Sequence, residues 1–140
     1  MKLILVLFSS LALSATSICQ VSSPQQIIRQ VIDSGIWEGH DQKIIGPMGD
    51  AAAVTLTKVL GEGKLNTSKM DGILVILTGA FADVCMVPEV SDRDPQTALF
   101  ILQYLKSATS DVPLNARIDE TKSYILKQHE NCPKKSSPDK

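Results

Sequence analysis

The run from Asn66 to Val84 (NTSKMDGILVILTGAFADV) holds the longest apolar stretch after the amino-terminal leader. Its centre, Ile73-Leu74-Val75-Ile76-Leu77, is rich in β-branched residues and reads equally as a buried strand or as one side of a buried helix. The continuation through Ala80, Phe81 and Ala82 makes the segment too long for an ordinary strand and favours a helix. With no polar face at its centre, this helix is expected to be the central one, buried all round. Asn66 or Thr67 is its start and about Val84 its end. Gly72 and Gly79 lower helix propensity, but they would let a neighbouring backbone come close.

The flanking segments read the same way. Ser23-Pro24-Gln25-Gln26 places an N-cap, a first-turn proline and the return partner of a capping box in four residues. Ile27, Ile28, Val31 and Ile32 then form one apolar stripe, and Gly35 supplies the stop. A second helix is expected from near Asp50, with Ala52, Ala53, Leu56, Val59 and Leu60 inward and Gly61 as its end. Asp94-Pro95 opens a fourth, with Ala98, Ile101, Leu102 and Leu105 inside and Phe100 and Tyr104 extending the apolar surface round the side. Asp111-Val112-Pro113 opens a fifth, with Leu114, Ile118, Thr121 and Ile125 on one face. Period-two alternation and hairpin dipeptides are missing from the chain after the leader. The expected class is all-α, with five helices.

A shift of 45 residues lays Ala53 on Ala98, Val54 on Leu99, Leu56 on Ile101, Leu60 on Leu105 and Ile73 on Ile118. A helix pair recurring at roughly 40–47 residues is the spacing of HEAT-type repeats. Over about residues 50–128 the chain resembles short HEAT-like hairpins in this sense. The resemblance implies two stacked α-hairpins preceded by one amphipathic helix. An irregular five-helix bundle is the alternative that the generic apolar matches leave open.

The 140 residues are room for one domain, and 44% apolar with 21% charged residues is a globular composition. A formal net charge of −1 gives no basic field for nucleic acid. Residues 1–19 read as a secretory signal peptide: Lys2 is the positive end, Leu3 to Leu13 the apolar run, and Ser14 to Ser17 the small residues. The run of about eleven residues is shorter than the roughly twenty needed to span a bilayer. Cleavage after Cys19 leaves Gln20 first and removes Lys2, taking the charge from −1 to −2. A lipid anchor at Cys19 is the alternative, and the bulky Ile18 before it argues against that. The expected organisation is a leader (1–19), one helical domain (20–130) and a mobile tail (131–140). The expected address is exported, either periplasmic or extracellular.

After the leader leaves, Cys85 and Cys132 remain, an even count that suggests one disulfide in an exported chain. It would close a loop of about 47 residues and contribute roughly 4 kcal/mol in the chain-entropy model. Stacked hairpins would run their second helices parallel and so bring the two cysteines to one pole. His40 and His129 match no metal-ligand spacing with them, and no cofactor motif is present.

Trp37-Glu38-Gly39-His40-Asp41 is the densest group of reactive side chains. An enzyme reading takes His40 as proton carrier, oriented by Glu38 or Asp41. No nucleophile is placed near it, and a packed Trp37 with a solvated His40 explains the same residues. Glu89, Asp92 and Asp94 lack the ligand order and central glycine of an EF-hand, and Arg93 among them points to local pairing and helix capping. Asn66-Thr67-Ser68 fits the N-glycosylation acceptor pattern. The expectation that remains is a small exported binding module, with a protein or peptide partner docking at Trp37, Phe100 and Tyr104. A carrier of a small apolar ligand would instead close Ile76, Phe81 and Phe100 around one cavity.

Overall fold

The computed structural model describes residues 22–35, 45–82 and 93–132. Among the described residues five α-helices follow in order: α1 (Pro24–Ser34), α2 (Gly49–Gly61), α3 (Thr67–Phe81), α4 (Pro95–Ala108) and α5 (Val112–Asn131). A 3-10 turn over Gly46–Met48 leads into α2. The described residues contain no strand, so the all-α expectation stands.

Local chemistry sets the helix starts. Ser23 accepts from the Gln26 amide while the Gln26 side chain returns to the Ser23 amide, the expected capping box. Asn66, Asp94 and Asp111 each accept a first-turn amide of α3, α4 and α5. A carboxylate or amide oxygen there satisfies donors that the helix itself leaves open. At the other end of α1, Gly35 takes the left-handed conformation (φ 64) and donates to Val31.

α2 ends at Gly61, as expected, and the positive-φ residue that follows is Gly63 (φ 65). Amides of Glu62 and Gly63 still bond back to Lys58, Val59 and Leu60 carbonyls, so the chain completes another tight turn before it leaves. α3 closes at Phe81 rather than near Val84. Side chains from elsewhere meet its last carbonyls: Arg93 donates to Ala80 O at 2.7 Å, and His129 Nε2 to Phe81 O at 2.6 Å. Arg93 thus caps a carbonyl at the end of α3.

α3 is the axis of the core. Met70, Ile73, Leu74, Ile76, Leu77, Ala80 and Phe81 are buried along it. It is not buried all round, because Asp71, Val75 and Thr78 are half-buried along one side. α1 lies across it antiparallel, with Gly35 against Ser68 and Gly72 against Ile32. At Gly72 a Cβ would sit 2.5 Å from Ile32 Cα and 2.6 Å from Val31 O, so the bare glycine is what lets the two backbones meet. At Gly79 the close neighbour is instead a side chain, Ile45.

On the other side of α3 runs α5. Arg117 bonds Asp71 at 2.9 Å, 46 residues apart in sequence, and His129 bonds Phe81, 48 residues apart. Two ties of nearly equal offset, one near each end, make α3 and α5 parallel. α4 returns antiparallel beside α5, with Lys106 Nζ 2.6 Å from Asp119. Leu102, Leu105, Leu114, Ile118 and Ile125 fill the seam between this pair and α3.

Candidate functional site

α4 presents two unlike faces. Ala98, Ile101, Leu102 and Leu105 are buried, as their spacing required. Phe100 and Tyr104, one turn apart, project outward with 73% and 42% of their surface exposed. Single exposed apolar residues are ordinary, but two aromatic rings on one helical ridge form a patch. Lys106 is the one charged residue among the fourteen of α4, and it is tied to Asp119. The rings are therefore bordered by Gln96, Thr97, Gln103 and Ser107, all exposed and uncharged.

Beside the ridge a groove of about 380 Å³ runs between α4 and α5. Leu99, Leu102 and Ile118 form its apolar floor, and Gln96, Gln103 and Lys122 stand along its rim. Such a surface offers apolar contact, two side-chain amides, the ammonium groups of Lys106 and Lys122, and the Asp119 carboxylate. It offers no nucleophile held by a base. An amphipathic helix or an extended peptide is the shape that uses a floor and rim of this kind.

Two further depressions are also lined by charged residues. One of about 530 Å³ lies between α3 and α5, over Leu74, Val75 and Gly79, with the Asp71–Arg117 pair and Glu120 beside it. The other, about 490 Å³ between α1 and α2, is lined by Gln26, Arg29, Asp33 and Val54. Arg29 makes a two-toothed bond with Glu62 (2.6 and 2.9 Å) and another to Asp33 (2.9 Å). The hydrogen bonds to Glu62 and then Asp33 raise the affinity of Arg29 for its proton. The same guanidinium holds the Glu62 carboxyl below its ordinary value. These charges are already committed to one another.

Of the three residues expected at a docking surface, Phe100 and Tyr104 lie on one exposed ridge, and Trp37 lies outside the described residues. So do Glu38, His40, Asp41, Cys19, Cys85, Glu89 and Asp92, together with the leader and residues 133–140. Asp94 serves as the N-cap of α4. The three residues named for an apolar-ligand cavity do not meet in one: Ile76 and Phe81 are core, and Phe100 faces outward. Helical phase separates them, since Phe100 sits opposite the buried stripe of its own helix.

Cys132 caps α5 and is disulfide-bonded. Among the described residues no group of three His, Cys, Asp or Glu side chains is placed to hold a metal ion. No helix there is long and apolar enough to cross a membrane. The Asp71–Arg117 tie and the attachments of Arg93 and His129 were not visible from local sequence. The 45-residue shift was the one signal that hinted at the register of the first. Compared with known proteins, the chain matches no family model, no curated protein and no solved structure.

Proposed function

We propose that the chain is an exported helical binding module, without catalytic activity of its own, docked by another protein or peptide on the outer face of α4 and the adjoining α4–α5 groove. The observation that carries this reading is the 73% exposure of Phe100, with Tyr104 one turn on, on a helix whose inner stripe is fully used by the core. Exposed aromatic side chains beside an apolar floor are the composition of an interface centre. Trp37 belongs to the same proposal from its place in the sequence.

The scaffold in this reading is a pair of stacked HEAT-like hairpins, α2–α3 and α4–α5, preceded by α1. The parallel run of α3 and α5 supports it, with offsets of 46 and 48 residues against the 45-residue sequence shift.

The test is a paired capture from the source's own envelope or secreted fraction. The intact domain and a Phe100→Ala/Tyr104→Ala variant serve as baits. A protein retained by the first and lost from the second is the expected result. Equal retention by both baits would remove α4 from the interface.

A further inference from the structure

We infer that Asn66 is an acceptor for an N-linked oligosaccharide, added as the chain enters an export compartment; the inference rests on the export reading above. The chain has three asparagines, Asn66, Asn115 and Asn131, and only Asn66 is followed at the second position by a hydroxyl residue other than one after proline, in Asn66-Thr67-Ser68. A short pattern of this sort acquires meaning only from where the residue stands.

In the fold the two ends of the Asn66 amide have separate duties. Oδ1 accepts the Lys69 amide at 2.8 Å and so caps α3. A backbone N–H can be met only by the oxygen, so the helix start itself fixes which end points inward. Nδ2, the atom that would carry the sugar, makes no hydrogen bond among the described residues. The residue is exposed, with an extended backbone (φ −114, ψ 171). Gly63 and Lys64 before it and Thr67 and Ser68 after it are exposed as well, which leaves room for a bulky group.

The chemistry balances with a lipid-pyrophosphate-linked oligosaccharide as donor. The bond from sugar C1 to the pyrophosphate oxygen breaks, and the lipid pyrophosphate leaves with that electron pair. Nδ2 forms the new bond to C1 and gives up one proton. Oδ1 is untouched, so the cap on α3 survives the modification.

The order of events follows from Ser68. Its hydroxyl, the second element of the acceptor pattern, donates to Ser34 O at the end of α1 (3.2 Å). Ser68 also lies against Gly35. Docking of α1 therefore engages the hydroxyl that the transfer reaction must recognise, and glycosylation precedes the packing of α1 on α3.

The test translates the full chain in the presence of endoplasmic-reticulum microsomes. It compares the native chain with Asn66→Asp, which keeps the capping oxygen and removes the acceptor nitrogen. The expected result is a protease-protected native chain of lower mobility, restored by an endoglycosidase that removes N-glycans, and no shift for Asn66→Asp. A protected chain without a shift overturns the glycan and leaves export standing. A shift that persists in Asn66→Asp overturns Asn66 as the site. A chain that is never protected overturns the export reading and this inference with it.

Discussion

His129 Nε2 lies 2.6 Å from the carbonyl oxygen of Phe81, tying the last turn of α5 to the last turn of α3. A carbonyl accepts, so Nε2 carries the proton. Arg93 meets the neighbouring Ala80 carbonyl at 2.7 Å. Donors from two other parts of the chain thus close the end of the central helix, where its own backbone leaves acceptors open and its dipole is negative.

That closure bears on the disulfide. Cys132 is three residues beyond His129 and is disulfide-bonded, and its partner lies outside the described residues. Cys85 follows Phe81 by four residues, a reach of about 13 Å at most in extended chain. Peptide mapping without reduction is expected to join Cys132 to Cys85. A Cys132→Ser variant is expected to lose about 2–5 kcal/mol in denaturant unfolding. A peptide joining Cys132 to Cys19 would refute the pairing and the leader cleavage together.

Gly72→Ala is expected to destabilise the fold sharply. The added methyl meets backbone of Ile32 and Val31 at 2.5–2.6 Å, so α1 must move off α3. A cost of about 1–3 kcal/mol or more follows, read as a drop in thermal midpoint. Gly61→Ala is the control: it is helical and nothing lies within 4 Å of its would-be Cβ. It should gain up to about 1 kcal/mol.

Acid should weaken the α1–α2 tie. Hydrogen bonding to Arg29 holds the Glu62 carboxyl below its ordinary 4.5, so the folded chain binds fewer protons there than the unfolded one. Its contribution is complete above pH 4.5 and is lost as pH falls through the lower folded value. The pair is solvent-screened, so the effect is modest. In Glu62→Gln the fall of thermal midpoint with pH below 4.5 is expected to be shallower than in the native chain. Identical slopes would remove Glu62 as a contributor.

Phe100→Ala and Tyr104→Ala are expected to leave stability within about 0.5 kcal/mol, as exposed positions do. Against a partner captured by the native domain, each should weaken binding roughly tenfold or more, the effect of about 1.4 kcal/mol. Circular dichroism on the same samples separates lost binding from unfolding.

Helix starts were legible because a cap is a bond between residues three apart in one short peptide, as at Ser23 with Gln26 and at Asn66 with Lys69. The buried stripe of α4 was legible for a similar reason, since periodicity alone sorts Ala98, Ile101, Leu102 and Leu105 to one side. The exposure of Phe100 was less so: the sequence placed it off the stripe, and only the packing left that flank uncovered. The end of α3 at Phe81 was not legible, because it depends on how its last carbonyls are met by Arg93 and His129, not on residue type alone.

By itself, then, the order of residues determined an all-helical chain, where most helices begin and which stripes turn inward, because each follows from contacts within a few residues. Only tertiary structure decided that α3 and α5 run parallel, that Asp71 meets Arg117, and that Arg93 and His129 close the end of α3. Those pairs are separated by 46, 13 and 48 residues. No local propensity selects between such distant partners; the packing of the other four described helices around α3 does.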